Sequence, residues 1–322
     1  MGVNIENMAI IEQIFVDFAK KIEGSVWPAN FLGVMQKSLP IILGIIFMTG
    51  NFYIVATPIG NLQDFSPRAQ DILQNVDLIL AEDTRHSRKL LDFYGINSKL
   101  KSLHEHNEEQ SIEKIIQELT TKDIALISDA GTPLISDPGF KLVRSLKERG
   151  FSVIPIPGPS ALIAALSAAG LSTARFCFEG FVPKTKKARE DFFKSLLNEY
   201  RTMVFYESPK RVLKTLGAMQ DIFGGNRLCS IARELSKKHE NIVTDTLAGI
   251  YKIFADGNEP LRGEFVIMLE GRVEKATDDE ELNRVLQILL KELTTSKAVK
   301  LASKIAKVNK NTVYEKALSI KK

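Results

Sequence analysis

Between Ser128 and Gly139 the chain reads Ser-Asp-Ala-Gly-Thr-Pro-Leu-Ile-Ser-Asp-Pro-Gly, directly after the apolar run Ile124 to Ile127. Small residues let a ligand approach the backbone, and prolines fix the path of the loop. Its two carboxylates, Asp129 and Asp137, suit hydrogen bonds from ribose hydroxyls or an ammonium group. A rigid connection capped by Asp137 is the alternative; so long a run of such residues favours a binding loop. A second cluster, Ala81-Glu82-Asp83-Thr84-Arg85-His86, crowds charge at another strand end. A helix N-terminus accounts for the acids but not for Arg85 and His86. In Phe205-Tyr206-Glu207-Ser208-Pro209-Lys210-Arg211 the cations stand in a first helical turn, against the helix dipole, so Lys210 and Arg211 point to an anion. Ala232-Arg233-Glu234-Leu235-Ser236-Lys237 repeats the theme.

Other chemistries find no support. There is no G-x-G-x-x-G for an ordinary dinucleotide or Rossmann site and no G-x-x-x-x-G-K-[ST] for a P-loop. His104-Glu105-His106 places two histidines on one side of an expected strand, but no third metal ligand stands near, so no metal is expected. Cys177 and Cys229 sit in apolar, strand-like segments and read as two buried thiols in a reducing compartment.

The elements that must carry these clusters alternate. Strands are expected at 52–56, 77–81, 99–104, 124–127 and 151–156, with helices at 67–75, after Ala81 through Leu91, at 111–120 and at 139–149. Ser66 and Pro67 mark a helix start. Such alternation predicts an α/β domain with a largely parallel sheet, whose ligands bind beyond the carboxyl ends of the strands. Pro157-Gly158-Pro159 is a hinge, after which Ser160 is expected to cap the helix Ala161 to Ala169. A second α/β run follows, with strands at 176–182, 202–206, 228–232, 242–246 and 264–269 and helices near 187–198, 209–220 and 247–255. The chain thus divides into an atypical segment 1–48, two α/β domains at 49–157 and 158–272, and a linker with a helical tail at 273–322. The tail predicts helices at 282–293, 296–306 and 311–320, the layout of a helix-turn-helix.

Charge is unevenly placed along the 322 residues. From Thr294 to Lys322 there are eight lysines and one acid, Glu315; that net +7 leaves −3 for the rest of a chain whose total is +4. A basic end on a mildly acidic body suggests a polyanion partner, the alternative being a solvated lysine-rich helix face. The apolar run from Leu39 to Met48 is too short for a membrane span, lies far from Met1 and lacks an Ala-x-Ala cleavage site, so a cytoplasmic protein is expected.

In this order, Thr57-Pro58-Ile59-Gly60-Asn61-Leu62, Ala81 to Arg85, the 128–139 loop, Pro157-Gly158-Pro159-Ser160-Ala161, Phe205 to Ser208 and Ala232 to Leu235 resemble the ribosomal RNA small subunit methyltransferase I family. Its members are cytidine 2′-O-methyltransferases within the tetrapyrrole (corrin/porphyrin) methylase superfamily. The resemblance spans about residues 49–322; only residues 1–48 depart from it, and they are expected to be dispensable. It implies a two-domain tetrapyrrole-methylase-like fold with a small C-terminal helical piece, S-adenosylmethionine as cofactor, 16S ribosomal RNA in the small ribosomal subunit as partner, and a homodimer. By position it implies cofactor contacts at Pro58, at Asp129, Ala130, Gly131, Thr132, Pro133 and Ile135, at Ser160 and Ala161, and at Tyr206 and Ala232. The implied chemistry is in-line displacement at a sulfonium methyl, which requires no metal. The ribose proton needs an acceptor, and Glu82, Asp83 and Glu207 are unranked alternatives for it. Arg85, Lys210, Arg211 and the tail residues Lys297, Lys300, Lys304 and Lys310 are expected to meet RNA. Two rival readings remain: a small-molecule tetrapyrrole methylase, which would not need a basic tail, and a non-catalytic assembly factor, which would not need carboxylates gathered at strand ends.

Overall fold

A computed structural model describes residues 50–272, 279–306 and 308–320; the expectations for residues 1–48 lie outside the described residues. The chain forms two units, one of residues up to Pro58 with Leu62–Pro159, the other of Ile59–Asn61 with the residues from Ser160 onward.

The first unit is built on five parallel strands in the order β3-β2-β4-β1-β5. They are β1 (Phe52–Val55), β2 (Leu78–Ala81), β3 (Lys99–Ser102), β4 (Ile124–Ile127) and β5 (Val153–Ile156). β2 and β4 are buried at every residue, as expected of strands covered on both faces. The helices between them are α1 (Pro67–Asn75), α2 (Thr84–Phe93), α3 (Glu108–Leu119) and α4 (Phe140–Glu148). Two apolar clusters fill the space against the sheet, one around Leu73, Ile79 and Leu91, the other around Leu80, Leu103 and Ile115. α1 starts where the sequence says it must. Ser66 accepts a hydrogen bond from the Ala69 amide at 3.1 Å, and Pro67 opens the first turn. β3 ends at Ser102, so His104, Glu105 and His106 follow it in a turn rather than sharing one side of a strand. The cause is Asn107, whose side-chain carbonyl accepts from the His104 amide and whose amide donates to the Ser102 carbonyl. Among the described residues no three metal-ligating side chains gather.

The second unit holds a mixed sheet in the order β6-β7-β10-β8-β9. Its strands are β6 (Phe176–Phe181), β7 (Thr202–Glu207), β8 (Leu228–Arg233), β9 (Asn241–Thr246) and β10 (Phe265–Leu269). β6 and β7 are parallel and the other neighbours antiparallel. Around it lie α5 (Ala161–Ala168), α6 (Lys186–Ser195), α7 (Val212–Phe223) and α8 (Leu247–Ala255). Phe193, Phe205, Met219 and Phe265 anchor the core on one face, and Leu166, Val204, Ala232 and Met268 the core on the other. Cys229 is buried but Cys177 only half-buried, and burial pushes both thiols up to about 12. Three further helices, α9 (Asp279–Glu292), α10 (Thr295–Ile305) and α11 (Lys310–Ile320), enclose a small core of Leu282, Leu286, Val299, Ala302, Val313 and Ala317. No helix among the described residues is long and apolar enough to cross a membrane.

Candidate functional site

Because β4 lies between β2 and β1, the segments leaving the carboxyl ends of these three strands are neighbours. The 128–139 loop is locked at its root. Thr57 and Gly131 exchange backbone hydrogen bonds at 2.8 and 3.0 Å, the buried Thr57 hydroxyl donates to the Ser128 carbonyl at 3.1 Å, and the Ser128 hydroxyl donates to the Gly131 carbonyl at 3.3 Å. The Thr132 hydroxyl donates to the Pro159 carbonyl at 3.0 Å, tying the loop to the hinge. Gly131 has a φ of 87°, and Leu134 and Ser136 take φ values of 71° and 70°. Two non-glycine residues in the left-handed region within one loop mark stored strain of the kind that binding sites hold. Pro133 is buried, Pro58 half-buried, and Ala130 and Ile135 exposed.

The acids of this region have separate fates. Asp83 caps α2: its carboxylate accepts from the Arg85 and His86 amides at 2.8 and 3.3 Å, which hold it below the usual carboxylate range. Its own amide donates to Asp129 at 3.1 Å, linking the two loops. Glu82 makes no hydrogen bond or ion pair among the described residues. Burial, and then the negative charges of Asp129, Asp83 and Glu105, raise its pKa. Asp137 is raised to about 6, first by burial and then by Glu82 and Asp129, against a lowering hydrogen bond from Ser128. It does not cap α4, whose N-cap position is Gly139 with no side-chain bond. Arg85 is almost fully exposed and touches Asp83 at 3.5 Å.

In the second unit β7 and β8 both run antiparallel to β10, and Glu207 and Arg233 both stand opposite Phe265, so their loops leave the same end of the sheet. The Glu207 carboxylate is fully buried. It pairs with Arg211 at 2.6 Å and accepts from the Ser208 amide and the Thr215 hydroxyl, both at 2.7 Å. Arg211 also donates to the Ser208 hydroxyl at 3.0 Å and the Val182 carbonyl at 2.9 Å. These bonds occupy both side chains in holding the loop; Lys210 beside them is exposed. Tyr206 is half-buried against Phe178 and Phe181, edge to face, and Ala232 is fully buried in the sheet. Ser160 stands at the N-cap position of α5 but its side chain makes no capping bond, leaving the hydroxyl uncommitted to the helix; Ala161 follows in the first turn. On α10, Lys297, Lys300 and Lys304 are exposed at positions that share one helical face, and Lys310, also exposed, opens α11.

Glu82 and the 128–139 loop, both conspicuous in the sequence, come together in the structure through Asp129. Asp137, the second carboxylate of that loop, feels the charges of both Glu82 and Asp129.

Comparison with known proteins agrees with this layout. Residues 51–251 match the profile of the family described as Tetrapyrrole (Corrin/Porphyrin) Methylases, and residues 276–321 that described as RsmI C-terminal HTH domain. A protein of Pseudomonas aeruginosa named Ribosomal RNA small subunit methyltransferase I is 48% identical over 274 residues, which cover 84% of this chain and 97% of that protein. One of the same name from Haemophilus influenzae is 44% identical over 276 residues, covering 84% and 98%. Among solved structures, a diphthine synthase superposes with a TM-score of 0.52 at 16% identity, covering 69% of this chain and 90% of that one, a likeness of fold. By sequence, fold and the helical domain after its second sheet, the chain belongs to the tetrapyrrole methylase family and, within it, to that of ribosomal RNA small subunit methyltransferase I.

Proposed function

We propose that this chain methylates small-subunit ribosomal RNA with S-adenosylmethionine, and that the acceptor is the 2′-hydroxyl of a cytidine in 16S RNA. The observation that carries the reading is the extent of the likeness: relatives named for this activity match over nearly their whole length. The residues present fit the cofactor. A sulfonium and an ammonium group are cationic, and Glu82, Asp129 and Asp137 concentrate negative charge beside the small-residue loop. Pro58, Ala130, Gly131, Thr132, Pro133, Ile135, Ser160, Ala161, Tyr206 and Ala232 are the proposed contacts.

When bound, S-adenosylmethionine supplies a methyl group whose leaving thioether needs no proton. The work left to the chain is to align the ribose hydroxyl and accept its proton. Of the three acids singled out by sequence, Glu82 suits that work best. Asp83 is spent on a helix cap and Glu207 on an internal network, whereas Glu82 has no bonding partner among the described residues and burial and neighbouring carboxylates raise its proton affinity, which favours it as proton acceptor. Arg85, Lys210, Lys297, Lys300, Lys304 and Lys310 are exposed and are the proposed RNA contacts, and a cytoplasmic homodimer completes the proposal.

The test is incubation of the protein with methyl-labelled cofactor and small ribosomal subunits, followed by alkaline hydrolysis of the RNA. Methylation of a 2′-hydroxyl blocks cleavage at that nucleotide, so label should appear in an alkali-resistant dinucleotide that begins with cytidine. Label on a base, on protein or nowhere would overturn the reading.

A further inference from the structure

A second charged feature lies apart from these loops. α6, α7 and the segment joining β6 to α6 enclose an open cavity of about 690 Å³. One wall carries Arg189, only 6% exposed. Its Nε has no hydrogen-bond partner, and its guanidinium meets no carboxylate among the described residues. A guanidinium does not shed its charge in a protein, and burying a charge unpaired is costly. The fold therefore keeps a cation at a cost that an anion from outside would remove.

The surroundings fit that anion. Lys184 and Lys214 line the same cavity, exposed and without an ion pair among the described residues. Lys186 contributes at reduced strength because Glu190 lies 3.9 Å away, and Arg211 is committed to Glu207. Asp221 opposes an anion from the rim, so the balance of uncommitted charge stays positive. Gly217 sits in the middle of α7, where glycine costs about 1 kcal/mol relative to alanine. A Cβ there would meet only Tyr251 Cε2, at 3.5 Å. Packing does not demand glycine; an open cavity floor uses it.

We infer that this cavity is a phosphate-binding site, with Arg189 as its buried anchor and Lys184 and Lys214 as its outer cations. A phosphodiester of bound RNA and a free phosphate offer the same oxygens to a planar guanidinium fork. Only assignment of the phosphate to RNA rests on the ribosomal-RNA reading.

Thermal melting in sodium phosphate and in sodium chloride at matched ionic strength tests the site without RNA. The native protein should show a saturable rise in Tm with phosphate alone. The surface double variant Lys184→Gln/Lys214→Gln should lose most of that rise. Arg189→Met should lose it entirely yet melt in chloride no earlier than the native protein, because it deletes an unpartnered charge. Equal melting in the two salts, or an undiminished phosphate effect in the double variant, overturns the inference. Titration of an oligoribonucleotide against phosphate then separates the sources. Competition, with a salt slope lowered by about 1 to 2 in the double variant, assigns the site to the RNA backbone; independent binding supports the site as one for free phosphate. Absence of RNA methylation by the native protein would sink the function proposed above and leave the phosphate titration readable.

Discussion

Glu82 and Asp137 sit in one electrostatic neighbourhood and respond to pH in different measurements. For Glu82 the consequence is kinetic. Glu82→Gln should lower kcat by about 10² to 10⁴, the span usual for a lost general base, while leaving cofactor affinity within a few-fold. In the native protein the acidic limb of kcat/KM should lie above that of an ordinary glutamate, because neighbouring carboxylates and burial favour its protonated form. Activity should fall as pH drops through that range; an unshifted profile in the glutamine variant would exclude Glu82 as proton acceptor. For Asp137 the consequence is thermodynamic. Its pKa is raised in the folded state, from 3.8 to about 6. Folded protein therefore holds a proton that unfolded chain has released, so this group's contribution is present below pH 3.8 and is lost as pH rises through 6. Asp137→Asn should remove that dependence. Relative to the native protein it should gain roughly 1 kcal/mol between pH 4 and pH 7, once partial solvent exposure is allowed for. Urea unfolding of both proteins at the two pH values checks the sign.

At the scale of elements, the 128–139 loop and the tail helices carry the most direct tests. Gly131→Val should abolish cofactor binding in calorimetry. Because Gly131 has a positive φ and is paired to Thr57, any side chain adds backbone strain of about 1 to 3 kcal/mol. Gly131→Ala is therefore the control: comparable destabilisation with a smaller loss of affinity would assign the valine effect to filled ligand space. On the tail, changing Lys297, Lys300, Lys304 and Lys310 together to glutamine should raise KM for RNA and flatten the salt dependence by roughly 1 for each lysine engaged. The cofactor dissociation constant should stay fixed, as should the melting temperature, since these side chains are exposed beside a core they do not enter. Earlier melting with intact RNA affinity would make the tail a structural cap.

Most of these elements were legible in the sequence. A strand was read at the place of each of the ten strands among the described residues, most of them from apolar runs bounded by turn residues, and the Ser66-Pro67 signal set the start of α1 to the residue. What periodicity does not encode is pairing. The order β3-β2-β4-β1-β5, which makes Glu82 and the loop after β4 neighbours, comes from which strand edges meet. For the same reason the sequence could not separate Glu82 from Glu207. Glu82 follows a buried strand and Glu207 ends one, and only the partners Arg211, Ser208 and Thr215 reveal that one carboxylate is already consumed. Arg189 was invisible because what sets it apart is the lack, among the described residues, of a partner for its buried Nε.

For the whole molecule, the division into units does not follow chain order. Ile59–Asn61 belongs with the second unit, although Pro58 before it and Leu62 after it belong with the first. Ile59 is buried against Leu162, Val204, Ala232 and Val266. Ile59→Ala should cost about 2 to 4 kcal/mol, the range for truncating a buried isoleucine. The loss should appear in protection of β7 and β8 amides from hydrogen exchange rather than in those of β1 and β4. There is also a consequence for biosynthesis. The first sheet has all its strands once Ile156 is made, but the second awaits β10, its middle strand, which begins about 200 residues after Ile59. At about 5 to 20 residues per second of synthesis, that tripeptide leaves the ribosome roughly 10 to 40 s before the sheet it completes. A nascent chain stalled ahead of Phe265 should hold a finished first unit while Ile59 remains open to chaperones, and a fragment starting at Ser160 should regain stability when a peptide spanning Ile59 is added in trans.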